Sequence, residues 1–279
     1  MYFVSDAFLQ SVLTDDIPYG DTTVSLLGIE SVPGQIVCRP KADSVISGIT
    51  LVQRLFEMVD LKTQRRFDDG AFVPAQTPVL TATGPAGAIH AVYKTAQNIM
   101  EYCSGISARA RQMVETAHSV NPRCQVVTTR KHFPGTKVLS LYAAQAGGAL
   151  VHRMGLSESV LIFDQHRVFT DPAVLADLTA LRAADPERKI CIEAGTVEEA
   201  MAFVKAGADI VQCERLTPAE LTALVREAKA LRPEVLLSAA GGVKGENARE
   251  YAASGVDFLV STWPYFGRPV DVKMTISRL

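Results

Sequence analysis

Four short apolar runs in the C-terminal half of the chain alternate with stretches of helical periodicity. Residues 189–193, 210–214, 235–238 and 258–261 are too short for helices and show little polar alternation, so they read as strands buried on both faces. Between them, residues 196–206 open on Thr196 with Glu199 three positions later, a capping-box pattern that starts a helix. Thr217-Pro218 starts a second helix, which carries Leu221, Leu224, Val225 and Ala228. A third is predicted over 246–253. The strand ends at Glu193, Glu214, Ser238 and Ser261 recur every 21 to 24 residues, the length of a compact βα unit in a parallel barrel.

The same phase extends upstream less regularly. A strand over 125–128 runs out near Arg130, and another over 160–163 ends at Asp164. Six or seven strands are visible, short of the eight that close an ideal barrel. Before about residue 105 the pattern differs, with strands near 34–38 and 78–81, a helix near 51–59 and several Gly/Pro breaks. That region predicts a separate α+β domain. An amphipathic helix from about 89 to 120, interrupted near Gly105, is expected to join the two parts.

Composition narrows the function classes. The 279 residues are 48% hydrophobic and 21% charged, the balance of a packed globular protein. A net charge of -2 and a pI near 6.2 give no global basic field, so nucleic acid is excluded as an expected partner. Cys38, Cys103, Cys124, Cys191 and Cys213 are scattered, without a paired or metal-ligand rhythm, and read as buried thiols in a reducing compartment. The N-terminal run lacks the basic start and apolar core of a secretion signal, and no apolar run approaches membrane-spanning length. The expected location is the cytoplasm.

In a βα barrel, side chains at the C-terminal strand ends converge on one mouth. Arg130 and Lys131, Asp164, Glu193 and Glu214 all sit at such ends, and Gly241-Gly242 follow another. Each alone reads better as an ordinary solvated loop residue; their agreement at the strand ends reverses that reading and points to a site. Arg130, Lys131, Lys137, His152 and Arg153 supply the bidentate forks and point charges that suit phosphate and carboxylate. Glu193 and Glu214 repel phosphate directly, but suit ribose hydroxyls, a Mg²⁺ ion that shields pyrophosphate, or positive charge on a sugar carbon. Gly241-Gly242, before a helix expected to begin near Gly245, let backbone N–H groups approach a phosphate. There is no Ser/His/Asp nucleophile arrangement, phosphate-loop motif or zinc motif.

The chain resembles the quinolinate phosphoribosyltransferase family. The resemblance rests on Asp16-Ile17-Pro18-Tyr19-Gly20-Asp21-Thr22-Thr23, Thr129-Arg130-Lys131-His132-Phe133-Pro134-Gly135, His152-Arg153-Met154-Gly155-Leu156, Ala208-Asp209-Ile210 through Glu214, and Gly241-Gly242 with Glu246-Asn247. It implies an α/β fold: an N-terminal α/β sandwich domain over 1–105, joined by the C-terminal tail 265–279, and an incomplete six- or seven-stranded parallel α/β barrel over 106–264. It also implies a Mg²⁺-dependent reaction between phosphoribosyl pyrophosphate and a nitrogen-heterocycle acceptor, in a homodimer or hexamer with shared sites. By position, Arg130, His152 and Arg153 would hold acceptor carboxylates, with Lys94 and Phe163 alongside. Lys131 would contact phosphoribosyl pyrophosphate, Glu193 and Glu214 would face the ribose and metal, and Ala240, Gly241, Gly242 and Thr262 would line the 5′-phosphate pocket.

This chain also departs from the family pattern. Lys94 replaces an arginine, and Phe163 replaces a lysine before Asp164-Gln165-His166. Ser238-Ala239-Ala240-Gly241-Gly242 replaces the usual Glu-Ala-Ser-Gly-Gly; Thr262 and Phe266 replace a glycine and a histidine. These features resemble the ModD-type paralogues associated with molybdenum-transport operons. A lysine-to-phenylalanine change removes a charge-assisted contact of about 1.5–3 kcal/mol, so an acceptor less anionic than quinolinate is expected. Two alternatives stand beside this reading: a quinolinate enzyme of NAD biosynthesis that tolerates the changes, and a non-catalytic protein that binds a phosphometabolite or oxyanion.

Overall fold

The predicted βα rhythm is present in the computed structural model, which describes residues 2–279; Met1 lies outside the described residues. In chain order the helices are α1 (Asp6–Asp16), α2 (Thr22–Leu27), α3 (Ile49–Met58), α4 (Ala86–His118), α5 (Lys137–Ala146) and α6 (Asp164–Arg167). They continue with α7 (Pro172–Ala176), α8 (Thr179–Ala184), α9 (Val197–Ala206), α10 (Pro218–Leu231) and α11 (Ala248–Ala253). The strands are β1 (Pro33–Pro40), β2 (Ser44–Ile46), β3 (Lys62–Arg65), β4 (Ala71–Val73), β5 (Leu80–Pro85), β6 (Gln125–Thr128) and β7 (Leu150–Val151). Then follow β8 (Val160–Ile162), β9 (Ile190–Ala194), β10 (Ile210–Glu214), β11 (Leu236–Ala240), β12 (Phe258–Ser261) and β13 (Val272–Arg278).

Two units divide the chain. The first holds the N-terminal residues to Ala110, His132–Gly148 and Pro264–Leu279. Its antiparallel sheet has the order β13-β1-β5-β3, so the C-terminal tail completes it, Ile36 lying between Ile276 and Ala82. Ile36, Cys38, Leu80 and Ala82 pack with Leu55 and Phe56 of α3 and Val92 and Met100 of α4, burying side chains worth about 1.5–3 kcal/mol each for the larger ones. The segment 132–148, within the expected barrel boundaries, groups here because Tyr142, Ala143 and Ala144 join this core. Tyr142 also donates its hydroxyl to Asp69 Oδ2 at 2.5 Å, while Asp69 caps α3 by accepting from the N–H groups of Ile49 and Thr50. Gly48, at the cap position, has no side chain for that task.

The expected interruption of the long helix near Gly105 is corrected: α4 runs unbroken for 33 residues. Gly105 serves close packing instead, because a Cβ there would collide with the Arg268 carbonyl.

The second unit comprises Arg111–Lys131 and Ala149–Trp263. Its seven parallel strands run β7-β6-β12-β11-β10-β9-β8, an incomplete barrel within the expected count. Thr196 caps α9 by accepting from Glu199 N, and Thr217 and Glu220 form the full capping box of α10. The apolar stripes of these helices, including Phe203, Val204, Leu221 and Leu224, are buried. Strand register then orders one face of the sheet. Glu193, Gln212, Ser238, Phe258 and Gln125 are successive cross-strand partners, so their side chains share a face and a level. Two residues further on, Glu214, Ala240, Val260 and Val127 form the next level, where Val127, Ala240 and Val260 are a small apolar cluster.

Candidate active site

The carboxylates stand at the ends of adjacent strands. Glu193 is the penultimate residue of β9 and Glu214 closes β10. Glu193 Oε2 accepts from Gln212 Nε2 at 2.8 Å, and Arg167 Nη1 donates to the Glu193 carbonyl at 3.3 Å. Arg167 is itself fixed by Glu199 at 2.8 Å and lies 5.5 Å from the Phe203 ring centre. Burial, then the charge of Glu214, raises the Glu193 pKa, with Asp164 adding to the rise; the Gln212 hydrogen bond and Lys131 oppose it. The cluster therefore concentrates negative charge against a partly desolvated wall.

Beyond β11 the loop is shaped by glycine. Gly241 (φ +78°) and Gly242 (φ +82°) both hold left-handed conformations. A Cβ on Gly241 would lie 2.5 Å from Glu214 Oε1, so bare backbone is what leaves that carboxylate its place. Asn247 ties the loop by donating to the Gly242 carbonyl at 3.0 Å and accepting from Lys244 N at 2.8 Å. This corrects the expected helix start near Gly245: α11 begins at Ala248 and spans six residues. The Gly241-Gly242 backbone therefore lies in a loop several residues before α11, not at a helix N-terminus. Thr262 Oγ1 lies 2.9 Å from Thr129 Oγ1, joining the ends of β12 and β6. Trp263 N and the Val243 carbonyl are both held by Ser261 Oγ.

On the other side of the sheet's open mouth the side chains are cationic. Arg130 and Lys131 follow β6, where Lys131 N donates to Thr129 Oγ1 at 3.2 Å. His152 follows β7, its N–H donating to the Thr128 carbonyl at 3.0 Å. Its pKa is lowered, chiefly by burial and then by Arg153, so the imidazole is neutral at pH 7. The Arg153 pKa is likewise lowered by burial and by Arg130, two guanidinium groups near enough to repel. Among the described residues, no carboxylate ion-pairs with Arg130, Lys131 or Arg153. Their field is left for a ligand. Phe163, after β8, sets its ring 6.0 Å from the Arg153 guanidinium and packs edge-on against His166 at 4.2 Å.

Arg130, Lys131, His152, Arg153, Phe163, Glu193, Glu214, Ala240, Gly241, Gly242 and Thr262 all belong to the second unit. Lys94 and Lys137 belong to the first: Lys94 donates to Gln97 Oε1 at 2.9 Å beside the Tyr93 ring, and Lys137 opens α5. Sequence reasoning missed Gln212, Arg167 and Thr129. A glutamine inside the otherwise apolar strand 210–213 was the available signal for the first. All five cysteines are buried and free, and burial, then Glu193, pushes the Cys191 thiol up to about 12, which disfavours the nucleophilic thiolate.

Comparison with known proteins agrees with this architecture. Residues 21–104 match the N-terminal domain of quinolinate phosphoribosyl transferase and residues 106–275 its C-terminal domain. A ModD pyrophosphorylase of Pasteurella multocida is 32% identical over 100% of this chain and 99% of its own length. One from Rhodobacter capsulatus is 35% identical over 92% of this chain and all of its own. A nicotinate-nucleotide pyrophosphorylase (carboxylating) of Synechocystis is 29% identical, covering 99% of this chain and 94% of that protein. The solved nicotinate-nucleotide pyrophosphorylase of Francisella tularensis shares the fold, with a TM-score of 0.89 at 22% identity over 99% of this chain and 98% of that one. With both domain matches spanning nearly its whole length, the chain belongs to the quinolinate phosphoribosyltransferase family.

Proposed function

We propose that this protein transfers the phosphoribosyl group of phosphoribosyl pyrophosphate to a ring nitrogen of a heterocyclic acceptor less anionic than quinolinate. The observation that carries the reading is the division of the mouth: unpaired Arg130, Lys131 and Arg153 on one side, Glu193 and Glu214 on the other. The acceptor nitrogen forms a bond to the anomeric carbon as the bond to pyrophosphate breaks, and pyrophosphate departs with the electron pair. Positive charge grows on the sugar, where Glu193 and Glu214 stabilise it without a covalent intermediate. Lys131 and the Gly241-Gly242 backbone hold phosphate groups, and Arg130, neutral His152 and Arg153 orient the acceptor.

Mg²⁺ fits this residue set as a companion of the substrate. Among the described residues, no three Asp, Glu, His or Cys side chains form a metal cage. Mg²⁺ characteristically takes one or two carboxylates with phosphate oxygens and water, and Glu193 and Glu214 meet that need. Bound there, it would offset charge on the pyrophosphate.

Phe163 favours the less anionic acceptor. An aromatic ring beside Arg153 suits the face of a heterocycle but offers no cation to a second carboxylate. The test is pyrophosphate release across a panel of nitrogen heterocycles, with mass identification of the ribonucleotide product. Turnover with a singly charged or neutral heterocycle, lost in Glu193→Ala, is expected; phosphoribosyl pyrophosphate binding with no turnover on any acceptor would make the protein a binder.

A further inference from the structure

We propose that Gln212 is a positioning residue that fixes the Glu193 carboxylate for phosphoribosyl transfer, an inference that rests on the function proposed above. Gln212 lies in β10 between Val211 and Cys213, is only 7% exposed, and directs its amide N–H to Glu193 Oε2 at 2.8 Å. A buried amide in an apolar strand is retained where its donors are used.

The surroundings commit that amide to Glu193. Gln212 stands in register between Glu193 on β9 and Ser238 on β11, so all three side chains share one face and level. Ser238 Oγ is buried and has no hydrogen-bond partner among the described residues, so it does not compete for the amide. From the main-chain side, Arg167 holds the Glu193 carbonyl at 3.3 Å. Backbone and carboxylate are thus held by two separate donors.

The chemistry explains why the donor is an amide. Glu193 and Glu214 repel each other, so an unheld Glu193 would swing away from its neighbour. A lysine or arginine in this position would fix the carboxylate and also cancel its charge. A neutral donor fixes it and leaves the charge for the sugar carbon.

The experiment is a double-mutant cycle read by pyrophosphate release, using wild type, Gln212→Leu, Glu193→Ala and the double variant. Gln212→Leu is expected to lower kcat by about tenfold, the scale of one hydrogen bond to a charged group, with acceptor KM within about threefold. In the Glu193→Ala background the same change is expected to alter the remaining rate by less than about twofold. A kcat close to wild type, or an equal loss in both backgrounds, overturns the proposal. Should Gln212→Leu fail to fold, Gln212→Met, nearer in length and shape, takes its place in the cycle. If wild type turns over no acceptor, the function fails first, and crystal structures of wild type and Gln212→Met decide the positioning claim: a displaced Glu193 carboxylate supports it, an unmoved one overturns it.

Discussion

The two walls of the mouth are built by opposite means. From β9 to β12 the polar groups are bonded to one another: Gln212 to Glu193, Asn247 to the Gly242 loop, Ser261 to Val243. From β6 to β8 the cations Arg130, Lys131 and Arg153 carry no ion pair among the described residues, and the Phe163 ring lies 6.0 Å from the Arg153 guanidinium. A wall whose geometry is set by internal bonds is prepared to hold one invariant group in place. A wall of unpaired charge takes its final arrangement from the ligand, and a single substitution there changes which ligand fits. Under the proposed function, the phosphoribosyl donor would lie against the first wall with Lys131 reaching its phosphates, and the acceptor against Arg130, His152 and Arg153.

The largest expected effect removes charge from the bonded wall. Glu193→Ala should lower kcat by about two to three orders of magnitude, measured by pyrophosphate release, with the fold intact by circular dichroism. On the opposite wall, Phe163→Lys should raise kcat/KM for quinolinate by about one to two orders of magnitude, because it adds a charge-assisted contact. A loss at the first position and a gain at the second would establish the contrast; losses at both would break it.

Much of the bonded wall was legible in the sequence. Its strands are apolar runs at regular spacing, its helices open on Thr196 and Thr217-Pro218, and Glu193 and Glu214 punctuate the strand ends. Gln212 was not legible as a partner of Glu193, because that contact depends on cross-strand register between segments 19 residues apart. The other wall was harder to read. β7 is two residues long, too short to show a period, yet it delivers His152 and Arg153. Gly105 shows the same limit: local propensity marks it as a break, whereas α4 runs straight through it and the glycine makes room for the Arg268 carbonyl. The loop before α11 reads as helix in sequence, whereas in the fold its hold on Gly242 comes from the side chain of Asn247.

A smaller effect separates shape from strain on the bonded wall. Gly241→Ala and Gly242→Ala both place alanine at positive φ, costing about 1–2 kcal/mol each in urea unfolding. Only Gly241→Ala also crowds Glu214, since a Cβ on Gly242 meets nothing within 4 Å. Phosphoribosyl pyrophosphate affinity, measured by calorimetry, should therefore fall about tenfold more for Gly241→Ala. Equal losses would show that the Glu214 placement contributes nothing.

The smallest effect concerns pH on the cationic wall. The His152 pKa is lowered by burial and by Arg153, so below the ordinary value of 6.5 the unfolded chain takes up this proton more readily than the folded one. Its contribution to stability is present above that value, is lost as the pH falls below it, and levels off beneath the folded pKa. His152→Gln should flatten that part of the curve in thermal melts, whereas a curve identical to wild type would show that His152 does not report on the wall's charge.

The most direct measurement is the initial rate of pyrophosphate release by the wild-type protein, with phosphoribosyl pyrophosphate and Mg²⁺ held constant, on quinolinate and on a singly carboxylated pyridine. The prediction is faster release with the singly charged acceptor and almost none with either in Glu193→Ala. Faster release with quinolinate, or release that survives loss of Glu193, would contradict it.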